Sequence, residues 1–175
     1  SNYLEYKEIM AGICDHLIDK GHHIVFIPTN VRTHGCREDD IGTSEEISRL
    51  IKDRSKVTLI KSLYTPSEIK SLCGLMDIFI ATRMHACILS TGAGVPTLAI
   101  SYQFKLYEYM KLLGLEYYSM DIKDLDLGAL KDLTDELLLN AGRIRPYLEN
   151  KMRAMESYIE SSFNTVYESH DNARQ

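Results

Sequence analysis

The sequence predicts an α/β fold, a Rossmann-like parallel sheet with helices on both faces. Two observations carry that expectation. Short apolar runs, too brief for helices, alternate with longer segments whose apolar residues recur at helical spacing. Turn and cap residues (Gly21, Thr65-Pro66, Gly94, Gly114) stand where one kind of segment gives way to the other. Right-handed crossovers then distribute the helices over both faces.

Taken in order, Ile9, Ile13 and Leu17 mark a first helix that Gly21 stops. His23–Pro28 reads as a buried strand, with His22 and His23 flanking it rather than binding anything. Residues 29–42, TNVRTHGCREDDIG, are polar and irregular and read as a loop. Thr43-Ser-Glu-Glu46 fits a capping box opening a helix to about Asp53. Val57–Ile60 is a second strand, and Thr65-Pro-Ser-Glu68 a second capping box with proline at the favoured first position. That helix turns Ile69, Leu72 and Met76 inward. Asp77–Ala81 is a third strand, 84–92 a helix, Pro96–Ile100 a fourth strand and 104–113 a helix ended by Gly114. Tyr117–Met120 reads as an edge strand. Leu130, Leu133 and Leu137 mark one helix, and Leu148, Met152, Met155, Ile159 and Phe163 a separate, longer one.

A length of 175 residues suits one domain, taken as 1–168 with a frayed tail at 169–175. A chain this long buries about 70% of its unfolded surface and needs neither disulfide nor metal to stay folded. Net charge is −5, which argues against a nucleic-acid partner, since that would need a basic face. No apolar run approaches the ~20 residues of a transmembrane helix. Cys14, Cys36, Cys73 and Cys87 form no CxxC pair and match no zinc spacing, so reduced thiols, no metal and a cytoplasmic location are expected. The chain opens Ser1-Asn2 and runs straight into helical sequence; a piece of a longer protein is the expectation.

The chemistry concentrates in TRMHACILSTGAGVP, residues 82–96. Arg83 and His85 stand where the third strand yields to a helix, at the carboxyl end of the sheet, where ligands of such folds bind. The first turn of that helix offers free N–H groups and partial positive charge, which favour an anion. Arg83 adds a planar fork for carboxylate or phosphate, and His85 a cation, donor or proton carrier near neutral pH. A small ligand with both carboxylate and phosphate suits them. The plainer reading has Arg83 paired with a surface carboxylate and His85 as a cap or core residue. Tyr102 and Lys105 arrive at the end of the neighbouring strand, and this convergence supports a site. Each alone reads as packing or a solvated lysine. His34 of the loop motif Arg32-Thr-His34-Gly35, together with Asp39 and Asp40, also follows a strand end. These three are candidates for the acceptor side, against the plainer reading of a surface loop. Cys87 reads as a small buried residue rather than a nucleophile.

Asp77-Ile-Phe-Ile-Ala-Thr-Arg-Met-His85, Gly94-Val-Pro96, Ile100-Ser-Tyr102, Lys105 and Leu113-Gly-Leu115 resemble the polysaccharide pyruvyl transferase family. The resemblance is most specific over 77–115 and less so over 1–60 and past 120. It implies the C-terminal Rossmann-like half of a two-domain GT-B-like protein, with the N-terminal domain missing. It implies phosphoenolpyruvate as donor substrate, no cofactor, and a saccharide acceptor that leaves as a pyruvyl ketal on a cell-surface polysaccharide. It assigns the donor to Arg83 and His85, with Lys105 as a further positive contact. His85 is then the candidate acid for the enol carbon, and Arg83 stabilises developing charge.

Two rivals stand beside this reading. A nucleotide-sugar GT-B glycosyltransferase usually offers a glutamate pair here, and residues 82–93 contain no carboxylate. A non-catalytic binding or assembly module is the other, since one domain supplies one wall of a two-domain cleft. Apolar surface left bare there is a route to a homo-dimer.

Overall fold

Every strand pairing in the computed structural model is parallel, among the residues it describes, 3–29 and 40–172 (side chains to 163). The chain runs α1 (Tyr3–Asp19), β1 (Ile24–Phe26), α2 (Asp40–Leu50), β2 (Val57–Leu59), α3 (Pro66–Gly74), β3 (Phe79–Ala81), α4 (Met84–Gly92), β4 (Thr97–Ser101), α5 (Phe104–Leu113), β5 (Ser119–Asp121) and α6 (Leu127–Asn172). The strands form a pair, β1-β2, and a trio, β3-β4-β5. The α/β, Rossmann-like expectation holds, and no helix among the described residues is long and apolar enough to cross a membrane.

β4 explains the continuous apolar run at its position. All five of its residues are buried, and Leu98, Ala99 and Ile100 are sealed from solvent. A central parallel strand is covered on both faces, so its side chains do not alternate in polarity. Met110 and Leu113 of α5 and Leu130, Leu137 and Leu148 of α6 complete that core. α3 carries the predicted capping box: Glu68 N–H donates to Thr65 Oγ1, Thr65 N–H donates to Glu68 Oε2, and Pro66 holds the first helical position.

Three expectations are corrected. Thr43 does not open α2, which begins at Asp40 and ends at Leu50 rather than Asp53. Ser44 Oγ already donates back to the Asp40 carbonyl, and Thr43 Oγ1 is engaged with the Tyr3 hydroxyl. An aspartate at the head of a helix is favoured by the helix dipole, so Asp40 competes with the box as a start signal. The edge strand lies at 119–121, because Glu116–Tyr118 coils into a short 3-10 turn that buries Tyr118. The two final helices are one, α6, with Pro146 inside it. An interior proline costs about 3 kcal/mol. Anchors on both sides offset that cost: Arg145 donates to the Met76 carbonyl, the Tyr147 hydroxyl donates to the Leu113 carbonyl, and Ile144 and Leu148 are buried. Of the segment read as a loop, residues 30–39 lie outside the described residues, and 40–42 are helical.

Candidate functional site

β3 and β4 lie side by side with Ala81 opposite Ala99, so the chain leaves both strands at one edge of the sheet. Each strand runs directly into a helix: Arg83 is the N-cap of α4 and Gln103 the N-cap of α5. Neither N-cap side chain accepts from its own helix, in contrast to the self-capped α3. In α5 the Leu106 N–H donates to the Gln103 carbonyl at 3.1 Å; the other first-turn N–H groups of the two helices have no side-chain cap and face the same edge with their partial positive charge.

Arg83 is half-buried at the rim of a cleft of about 490 Å³. Its Nε donates to Asp40 Oδ1 at 2.7 Å. Asp40 Oδ2 in turn accepts from the Thr29 backbone N–H at 3.1 Å. Tyr6 of α1 reaches the same place. Its hydroxyl meets the Thr82 side chain, and burial, more than the nearby Asp40 carboxylate, pushes its ionisation up. The rim of the cleft is thus polar and charged (Tyr6, Thr29, Asp40, Thr82 and Arg83), while the walls behind it are mostly apolar.

The structure joins some of the sequence candidates and separates others. Arg83 and Asp40, 43 positions apart, are brought into contact. His85 shares the α4 first turn with Arg83, but its side chain is exposed and lies outside the cleft lining. Tyr102 and Lys105 are exposed at the neighbouring strand end, also outside the cleft. His34 and Asp39 lie outside the described residues. The plainer reading of Arg83, a guanidinium paired with a carboxylate, is realised geometrically. The carboxylate comes from the acceptor-side candidates and sits at the sheet's carboxyl edge.

Thr29, Tyr6 and Thr82 belong to this rim and were not singled out by the sequence. Thr29 had a usable signal, since it follows the Pro28 that ends a strand, as Thr82 and Arg83 follow Ala81. Tyr6 had none, because a tyrosine one turn before an apolar helical stripe reads as packing. Cys87 is fully buried, with Sγ 3.5 Å from Met110 Sδ, and burial pushes its thiol up to about 12. The expectation of a core residue holds.

A family model described as polysaccharide pyruvyl transferase matches residues 1–103, which include β3, Arg83, His85 and Asp40. The chain is similar to the amylovoran biosynthesis protein AmsJ of Erwinia amylovora, with 25% identity over 126 residues. That alignment takes in 72% of this chain and 30% of AmsJ, so the chain spans under a third of that relative's length. No solved structure matches the chain.

Proposed function

This chain belongs to the polysaccharide pyruvyl transferase family, and on that premise we propose that it is the C-terminal domain of a transferase acting on a cell-surface polysaccharide. The donor is phosphoenolpyruvate, and the product carries a pyruvyl ketal. Family membership supports a transferase that modifies polysaccharide. The observation that carries it is the Arg83–Asp40 contact at the head of α4. A guanidinium already engaged by one carboxylate, beside uncapped helix amides, suits a ligand that is both carboxylate and phosphate. Nε is taken by Asp40, and the two terminal nitrogens carry four more N–H donors.

The residues divide the work as follows. Arg83 and the first-turn amides of α4 hold the donor's anionic groups and stabilise charge that builds on them. His85 supplies a proton to C3 of the enol, leaving C2 electrophilic. One acceptor hydroxyl bonds to C2, and Asp40 receives its proton. The C2–O bond to phosphate then breaks, a second hydroxyl adds to C2, and the ketal closes. Of the two hydroxyl protons, one replaces that given to C3 and the other leaves on phosphate. Lys105 and Tyr102 offer a second positive contact and a stacking surface from the next strand end. Exposure of His85, Tyr102 and Lys105 suits residues that face a second domain across a cleft.

Calorimetric titration of the complete protein tests the reading. Phosphoenolpyruvate should bind to the natural protein and not to Arg83→Ala, and a nucleotide sugar should bind to neither. Unchanged binding to Arg83→Ala removes Arg83 from the site. Preference for the nucleotide sugar transfers the case to the glycosyltransferase reading.

A further inference from the structure

The two sheets are not joined among the described residues. Among the described residues β1 pairs with β2 and β3 with β4, and no ladder connects β1 to β3. The 490 Å³ cleft occupies that seam, with β1 on one side, β3 on the other and Met10, Ile13 and Leu17 of α1 lining it. Backbone polarity along the seam follows from the hydrogen bonds on the far sides. The Phe26 carbonyl accepts from Ile60 N–H on the β2 side, and Phe79 N–H donates to the Pro96 carbonyl on the β4 side. In an extended strand the N–H and C=O of one residue point to the same side, and those of the next point away. Val25 and Ile80 therefore turn their peptide groups into the seam from opposite edges. Polar backbone facing an apolar cleft is costly unless paired, and two facing strand edges are what an added strand pairs with.

We propose that one β-strand, from the segment preceding α1 in the complete protein, fills this seam parallel to β1 and β3. It joins the two sheets into a single sheet in the order β2-β1-new strand-β3-β4-β5. Three observations select this occupant. First, α1 and α2 pack against each other. α2 is the crossover helix from β1 to β2; a strand in the seam leading through α1 into β1 is a preceding unit of the same right-handed sense, which puts its helix on the same face. Second, Tyr6 near the start of α1 meets Thr82 just past the end of β3. A strand parallel to β3 finishes at that edge, next to the head of α1. Third, the relative AmsJ is more than three times as long as the stretch it shares with this chain, so relatives carry ample polypeptide outside it. Every strand that a second copy could offer from its described residues is already paired. The added strand would end beside Arg83 and Asp40 and contribute to their surroundings, independently of which donor binds there.

Amide hydrogen exchange on the complete protein, combined with a photo-reactive diazirine side chain at position 25, tests the proposal. Val25 and Ile80 amides should exchange as slowly as those of Phe26 and Phe79, within about tenfold. The diazirine should mark the segment before residue 1 of the same polypeptide. Free exchange at either amide overturns the proposal. So do adducts on residues 30–39, or adducts between isotopically distinct copies.

Discussion

Asp40 opens α2, Arg83 caps α4, and a 2.7 Å hydrogen bond from Nε to Oδ1 ties the two helix heads together at the sheet's carboxyl edge. The pair is neither deeply buried nor fully solvated, with 28% of the arginine and 18% of the aspartate side chain exposed. Asp40 thus competes with any incoming anion for the guanidinium, and in the proposed reaction it takes the acceptor's proton. Asp40→Asn separates these roles. In the complete protein it should tighten phosphoenolpyruvate binding, because a repelling charge is gone. It should also cut turnover by about 10²–10⁴, the usual worth of a positioned base. Calorimetry and phosphate release read the two effects. Turnover equal to the natural enzyme's would withdraw Asp40 from the chemistry.

His85 gives a prediction of the opposite kind. Its side chain is exposed, with no hydrogen-bond or ion-pair partner among the described residues, so His85→Gln should leave the melting temperature within about a degree. Loss of the acid should lower kcat by about 10²–10⁴ with KM for phosphoenolpyruvate changed far less. A variant that loses affinity and keeps kcat would make His85 a binding group instead.

The parallel sheet was legible in the sequence although its pairings are distant, such as Ile24 with Val57, because short apolar runs alternating with helical segments imply them. The α3 capping box and the Gly114 stop could be read by a different route, because each rests on contacts within a few residues of itself. The start of α2 was misread for the same reason. The Thr43 box is a valid local signal, but Asp40 answers to Thr29 and Arg83, both distant in sequence. The continuity of α6 was hidden in the same way. Its proline is offset by Met76 and Leu113, carbonyl partners that no helical periodicity reports. At the site, Arg83 and His85 were visible through their position after an apolar run. Tyr6 was not, because its role depends on α1 crossing to the end of β3.

Among the described residues the three cysteines should be chemically silent while the protein is folded. Cys14, Cys73 and Cys87 are free and buried, and burial pushes their thiols up to about 12, 11 and 12. At pH 8 a thiol near 12 is about one part in 10⁴ thiolate, the reactive form. Iodoacetamide at pH 8 should leave these three unmodified in the native protein and alkylate all three in denaturant, as read by peptide mass spectrometry. Rapid native labelling of Cys87 would show that the core beside β4 opens.

Gly114 closes α5 in a left-handed conformation, φ +73°, with its N–H donated to the Lys111 and Met110 carbonyls. A side chain there would suffer twice. The left-handed backbone costs a non-glycine residue roughly 1–2 kcal/mol. An added Cβ would also lie 2.9 Å from the Tyr147 hydroxyl, which is held by its bond to the Leu113 carbonyl. Gly114→Ala should destabilise the fold by about 2–3 kcal/mol in urea unfolding. Combining it with Tyr147→Phe should cost less than the sum of the two single changes, because the variants share a contact.

Acid should loosen the α1–α6 contact in a specific pH window. Asp135 of α6 accepts from Lys20 Nζ at 2.6 Å and from His16 Nε2 at 2.9 Å, both on or just beyond α1. The Lys20 hydrogen bond, followed by the weaker contribution of His16, holds the Asp135 carboxyl below its ordinary 3.8. A carboxyl depressed in the folded state binds protons less readily there than in the unfolded chain. Its stabilising effect is therefore present above the unfolded value and fades as pH falls through the folded one, that is, below about pH 4. Asp135 is partly solvated, so the effect is of surface size, less than about 1 kcal/mol, or a melting shift of no more than about 4 °C at pH 7. Asp135→Asn should lower the melting temperature by that amount near neutrality and converge with the natural protein toward pH 2. Salt should shrink the difference. Melting curves that stay a constant distance apart from pH 7 to 2 would show that the substitution acts through packing and that the charge contact contributes nothing.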